Sequence, residues 1–133
     1  MKIREPRWSD KKEIDRIYRE YYIKNEYPDF LGDKHFKCTF VITDDNDKII
    51  VAGGIKTIAE AVFVTDKELS PRVRLDALLQ GLGSSIFIAE GMKYKQIHAF
   101  VNSDPTYVKV LQRHGFRLIE DKLLVLDFGE DNG

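Results

Sequence analysis

The chain has 133 residues, 43% of them hydrophobic and 32% charged, with 21 Lys and Arg against 22 Asp and Glu. That length sustains one hydrophobic core without metal or disulfide staples, and a formal net charge of -1 excludes the broad basic field of a dedicated nucleic-acid binder. A lone cysteine, Cys38, excludes an internal disulfide and fits a reducing, cytoplasmic setting. The first residues carry no apolar run of signal-peptide length, and none elsewhere approaches the roughly 20 apolar residues of a membrane-spanning helix.

In chain order, Ile3 sits in a short extended segment that Pro6 ends. Ser9 and Asp10 are helix N-cap residues, and Asp10 with Glu13 has capping-box spacing. Ile14, Ile17, Tyr18, Tyr21 and Tyr22 follow at amphipathic spacing, which predicts a helix near 10–24. A loop with Pro28 and Gly32 comes next, with a brief helical turn around 33–37. Cys38 to Thr43 is β-branched and aromatic, and Asp44-Asp45-Asn46-Asp47 supplies a polar turn. Ile49 to Ala52 resumes the strand, and Gly53-Gly54 predicts a bulge or a close backbone approach. The run from Ile58 to Thr65 completes a three-strand meander.

Ser70-Pro71 is a capping hydroxyl followed by proline at the first helical position. Leu75, Leu78, Leu79, Leu82, Ile86 and Ala89 mark one face of that helix to about Met92. Within it, Gly81-Leu82-Gly83 is a close-packing site or a weak point. Gln96 to Val101 reads as a strand. Asp104-Pro105 opens a further helix that ends at His114-Gly115, with glycine at the left-handed C′ position. Phe116 to Ile119 and Leu123 to Phe128 form a closing hairpin, and 129–133 is a disordered acidic tail. The order is β-α-(α)-β-β-β-α-β-α-β-β, an α/β fold with a mixed sheet flanked by helices.

This order, with Val101-Asn102-Ser103-Asp104-Pro105 followed by Leu111 to Phe116, resembles the GNAT superfamily of N-acetyltransferases. The opening Ile3-Arg4 … Asp10 … Ile14 and the run Ile50 to Gly54 are similar to the family as well, so the resemblance covers 1–128 as a single domain. It implies an acyltransferase that moves an acetyl group from acetyl-CoA, its co-substrate, to an amine of a small molecule or protein. The cofactor would lie between the fourth and fifth strands. Its pantetheine arm would pair with backbone at Phe63 and Val64, and its pyrophosphate would sit on Arg72, Val73, Arg74, Leu75 and Ala77. Asn102 would help at the splayed strand end. The physical basis is a helix N-terminus, whose free N–H groups and dipole stabilise an anion. Leu75 stands where the family has its first glycine, and Leu111 stands where it has its tyrosine acid.

Acetyl transfer needs a base for the amine proton and, in some enzymes, an acid for the thiolate. Glu60, within the apolar run Ile58 to Val64, is a base candidate if desolvation raises its pKa. The bland reading is a strand-edge glutamate facing solvent. His98 is the second base candidate, against a structural histidine hydrogen-bonded to a neighbour. Tyr107, one turn before Leu111, is a substitute acid or a packing residue. His114 is explained by its helix C-terminus. His35 and Cys38 have H-x-x-C spacing but no second pair, so no metal site is expected. Tyr18, Tyr21, Tyr22, Tyr27 and Phe30 line an acceptor pocket or pack the core. Two alternatives stand beside the acetyltransferase: a non-catalytic GNAT-like binding module, favoured by Leu75 and Leu111, and an enzyme acting on a nucleic-acid base amine through Lys93, Lys95, Lys109, Arg113 and Arg117. The expected partners are acetyl-CoA and an amine acceptor, with no membrane and with nucleic acid only in the last of these alternatives, in a monomer or homodimer.

Overall fold

An acidic turn between two β-branched runs makes the centre of this mixed α/β fold. Asp44 Oδ1 accepts from the backbone N–H groups of Asn46 and Lys48, both at 2.9 Å, and Asp47 adopts a left-handed φ of 60°. Aspartate tolerates that conformation better than most residues, and the chain reverses there. Phe36–Thr43 (β2) and Ile49–Lys56 (β3) pair antiparallel on either side of it. The computed structural model describes residues 1–22, 27–101, 105–120 and 122–129. The chain divides into two units, Met1–Ala99 and Phe100–Gly133.

In the first unit, Lys2–Arg4 (β1) pairs antiparallel with β2, giving a three-stranded sheet in the order β1-β2-β3. A 3-10 turn at Trp8–Asp10 leads into Lys11–Tyr21 (α1). The expected amphipathic face holds in its first half. Ile14 is buried with Val41 and Ile49, and Ile17, Phe30 and Ala52 pack against them, whereas Tyr21 and Tyr22 are exposed. Positions 23 and 24 of the expected helix lie outside the described residues. The turn expected around 33–37 is a single one, closed by Phe36 N–H donating to the Asp33 carbonyl at 3.1 Å, before β2 begins.

Gly53 and Gly54 are a close approach. A Cβ on Gly54 would meet the Cys38 carbonyl oxygen at 2.5 Å, and one on Gly53 would meet the Phe40 ring at 2.8 Å. The register shifts of this pair lie elsewhere, between Phe36 and Cys38 and between Ile42 and Thr43. Cys38, which an apolar β run would bury, is exposed.

The meander ends after two strands. Ala59–Glu60 (β4) does not turn back on β3 but pairs in parallel with Ile97–His98 (β5), Ala59 opposite Ile97 and Glu60 opposite His98. Tight antiparallel returns need residues that accept positive φ, and Lys56-Thr57-Ile58 offers none. Instead, Thr57 donates its N–H to the His35 carbonyl at 3.0 Å, and its hydroxyl reaches the same oxygen at 3.2 Å. The sheet is therefore a three-stranded antiparallel piece and a separate parallel pair, where one mixed sheet was expected.

Pro71–Gly91 (α2) joins β4 to β5 and follows the sequence closely. The Ser70 hydroxyl accepts from Val73 N–H at 3.3 Å, and proline occupies the first turn. Leu82 and Ala89 of the expected face are buried.

In the second unit, Pro105–Arg113 (α3) ends where Gly115 takes a φ of 93° and Phe116 N–H donates to the Leu111 carbonyl at 3.1 Å. Asp104, its expected cap, lies outside the described residues. The expected closing hairpin is absent among them: 116–120 and 122–128 form no strand, and Leu124 and Phe128 are exposed. Strand propensity is realised only when a neighbour completes the ladder, and the described part of this unit holds no strand to pair with. Of the expected tail, 130–133 lies outside the described residues.

Asp10 departs most from its expected role. Its carboxylate makes no cap bond to α1; it accepts from Arg7 N–H at 2.7 Å and from the Arg4 guanidinium at 2.8 and 3.0 Å. Arg4 also reaches Asp47 through Nε at 3.0 Å. The Arg4 hydrogen bonds hold the Asp10 carboxyl below its usual range, against the opposing effect of burial. A depressed carboxylate pKa adds stability above the unfolded-state value, and that stability is lost as pH falls through the folded-state value. Asp10→Asn should therefore cost about 1–3 kcal/mol at neutral pH, the worth of hydrogen bonds to a charged group. Chemical unfolding at a series of pH values should show the gap between wild type and variant shrinking as pH falls below the ordinary aspartate value of about 3.9.

Candidate functional site

The parallel pair stops abruptly. Ala61 N–H donates to the His98 carbonyl at 2.8 Å, and beyond it Val62, Phe63 and Val64 make no backbone hydrogen bond to any described residue. The pair opens there, leaving three residues of free donors and acceptors ahead of α2. The Phe63 ring sits against Gly81, whose added Cβ would lie 3.1 Å from it, while the Val64 side chain is 96% exposed. Phe63 thus ties the open segment to the middle of α2. Gly81 is a packing glycine, and Gly83, with open space around it, is not.

Between that segment and α2, Glu68 N–H donates to the Asp66 carboxylate at 2.9 Å in the turn before Ser70. The helix N-terminus then presents two arginines. Arg72 is exposed, Arg74 is half-buried, and neither makes an ion pair with a described residue. Arg74 Nε is buried and has no hydrogen-bond partner among the described residues. Asp66, Glu68 and Asp76 do not neutralise these cations, although the helix dipole disfavours them there. Leu75 is 38% exposed and Ala77 is exposed. Val73 N–H is already taken by Ser70, so the helix end has fewer free donors than the resemblance implies.

Glu60 and His98 face each other across the last parallel register. Glu60 is exposed, which removes the desolvation expected from its apolar neighbours; the alternation of the strand turns it outward. His98 is half-buried, with Nε2 3.2 Å from Gln96 Oε1. In the second unit, burial pushes the half-buried Tyr107 phenol above its ordinary pKa. Leu111 is buried, His114 is exposed just after α3, and Asn102 lies outside the described residues. Lys93 and Lys95 belong to the first unit, and Lys109, Arg113 and Arg117 belong to the second.

No protein-family model, curated protein or solved structure matches the chain. Its chemistry rests on its own residues.

Two further features complete the first unit, one expected in part and one not. An open groove of about 460 Å³ runs between α1, the 27–30 segment and β3, lined by Ile14, Ile17, Tyr18, Tyr22, Phe30 and Val51 among others. Three of the five aromatics expected at an acceptor pocket are there. Tyr21 is absent from it. Tyr27 meets Tyr18 edge to face at 5.1 Å and donates its hydroxyl to Asp15. The second feature is the His35 ring stacked on Tyr94 at 3.7 Å and 7°. Far apart in sequence, the two give no local signal. Among the described residues no three His, Cys, Asp or Glu side chains gather as a metal-binding group, and no helix is long and apolar enough to cross a membrane.

The two helical glycines make a test of the Phe63 contact. Gly81→Val should overpack that ring and destabilise the chain by about 1–3 kcal/mol. Gly83→Ala should stabilise it by about 0.5–1 kcal/mol, because alanine is the better helix former. Thermal unfolding of the two variants should give shifts of opposite sign.

Proposed function

We propose that the chain is a divergent GNAT-like acyltransferase that moves an acetyl group from acetyl-CoA to an amine. The observation that carries this reading is the parallel β4–β5 pair that opens after Ala61, with backbone at 62–64 leading to a helix N-terminus that bears two arginines, all without partners among the described residues. A thioester carrier with an amide-containing arm and a pyrophosphate needs these two features in this order. The backbone at Phe63 and Val64 would pair with the arm's amides. The guanidinium of Arg72 would meet the pyrophosphate as a planar, permanently charged donor. Arg74 Nε, buried without a partner among the described residues, would donate to the same group.

In this reading Glu60 takes the proton from the attacking amine. The amine nitrogen bonds to the acyl carbon, the carbon–sulfur bond breaks, and the sulfur leaves as thiolate. A thiolate is a tolerable leaving group near neutral pH, so Leu111 in place of the family's tyrosine does not stop the reaction. Exposure leaves Glu60 without the desolvation that would strengthen it as a base, so its assignment rests on access alone: it stands at the last paired position, where an amine can reach it, while His98 beside it is engaged with Gln96. The groove lined by Ile17, Tyr18, Tyr22 and Phe30 supports an acceptor with an apolar or aromatic body.

Leu75 favours a second reading, a module that keeps the fold without catalysis, since its side chain stands where backbone would approach a pyrophosphate. Calorimetric titration of the chain with acetyl-CoA separates the two. The first reading expects a Kd in the range of about 1–100 μM, weakened at least about tenfold in Arg72→Ala/Arg74→Ala, which is a loss of about 1.4 kcal/mol or more. Glu60→Gln should retain that binding and lower acetyl transfer to an amine panel by about 10²–10⁴-fold, the usual worth of a general base. A folded chain giving no heat with acetyl-CoA would leave the module reading.

A further inference from the structure

We propose that the chain carries a second anion site, which takes a phosphate monoester or inorganic phosphate at the opposite end of the β4–β5 pair from Ala61. A small cavity opens there, where β3 runs into β4 and α2 runs into β5; Lys56, Lys93, Lys95, His35 and Tyr94 contribute to its wall, and His98, at the far register of the pair, also lines it. All of it lies within the first unit. It does not depend on the acyltransferase reading.

The charge balance is one-sided. Three lysines line the cavity against one carboxylate, Asp33, and that carboxylate is fully engaged. Its Oδ2 holds Lys56 Nζ at 3.0 Å, and its Oδ1 accepts from His35 N–H at 2.9 Å. Lys93 and Lys95 make no ion pair with a described residue. Nor are they needed to cap α2. The carbonyls of Ile88, Ala89 and Glu90 at its end already accept from Met92, Tyr94 and Lys93 N–H. The left-handed φ of 65° at Lys93 belongs to this helix ending, with Tyr94 N–H on the Ala89 carbonyl.

The uncharged groups point the same way. His35 is fixed by its stack on Tyr94, and the Tyr94 hydroxyl lies 3.4 Å from Thr57 Oγ1. His35 Nε2 is nevertheless buried with no hydrogen-bond partner among the described residues. Buried polar nitrogens are rarely left so, and an orphan of this kind marks a missing ligand or water. With the N–H at Nε2, His35 would donate to an oxyanion.

Size and donor type select the ligand. A cavity of about 30 Å³ holds an oxyanion head of a few oxygens and no base or ring, a water claiming about 10–15 Å³ on this scale. Lysine is a compact point charge with three rotatable donors, which can approach a tetrahedral dianion from several sides. The body of a larger monoester would remain outside.

The test is an NMR titration of the full chain with inorganic phosphate, at neutral pH and constant ionic strength maintained with chloride, read at the ring Cε1–Hε1 signals of His35 and His98. Both signals should follow one saturable curve with a Kd near about 1 mM. Lys93→Gln/Lys95→Gln should weaken it at least about fivefold and Lys95→Gln alone about twofold, each with the remaining amide spectrum unchanged, as removal of point charges with no protein partner predicts. Arg72→Ala/Arg74→Ala should leave the curve in place, which separates this site from the proposed cofactor site. A phosphorylated small molecule such as phosphoserine should shift both rings, and dimethyl phosphate, a monoanionic diester, should not. Shifts that stay linear to about 50 mM phosphate, far above that Kd, or a saturable curve that both glutamine variants leave unmoved, would overturn the proposal. So would an equal response to the diester, which would point to a nucleic-acid backbone.

Discussion

One guanidinium holds the first third of the chain together. Arg4 leaves β1 and makes a two-pronged contact with Asp10, in the 3-10 turn, and a third contact with Asp47, in the β2–β3 turn. Edge strand, helix entrance and hairpin turn are thereby fixed to one planar group, whose N–H donors all lie in a single fixed fork. The backbone agrees with this: Arg4 pairs with Val41, which is fully buried, so the strand that carries the charge also closes over the core. Asp47 occupies its left-handed turn position while it serves as a ligand of Arg4. Asparagine there would keep the turn and lose the ion pair that ties it to β1.

The parallel pair has a different logic. It is short, and its two strands are joined through the whole of α2, so its position depends on that helix more than on its own few hydrogen bonds. Phe63 against Gly81 is the contact that couples them. The two ends of the pair consequently differ. At one end the strands part and expose backbone before the arginines of α2. At the other, β3, β4 and the end of α2 meet around stacked aromatic rings and lysines. The groups left without partners among the described residues differ accordingly, guanidinium and backbone amides at the first end and ammonium and imidazole at the second.

What was legible in the sequence had local causes. The β2–β3 hairpin announces itself through β-branched runs around four polar residues, and Ser70-Pro71 and His114-Gly115 mark helix ends through single-residue geometry. Gly54 was legible too, since only a missing Cβ permits the Cys38 carbonyl to come so near. The partner of β4 was not, because a parallel register is set by a crossover and leaves no mark in either strand. Strand propensity in 116–119 and 123–128 went unrealised because propensity does not supply an edge to pair with. Asp10 has the spacing of a cap, yet its carboxylate faces back to Arg7 N–H and to the Arg4 guanidinium, a partner on another element that spacing does not register. At the candidate site, the arginines were legible from Ser70-Pro71, whereas the exposure of Glu60 and the His35–Tyr94 stack depend on how distant segments meet.

The crossover between β4 and β5 also orders the assembly of the first unit. Pairing Ala59 with Ile97 closes a loop that contains all of α2, while β2 and β3 need only the short turn between them. The conformational entropy of closure grows with the chain enclosed, so the hairpin with its Arg4 clasp can form early and the parallel pair only once α2 has shortened the distance to be spanned. The half of the unit that carries both proposed anion sites is the half with the greater closure entropy to overcome.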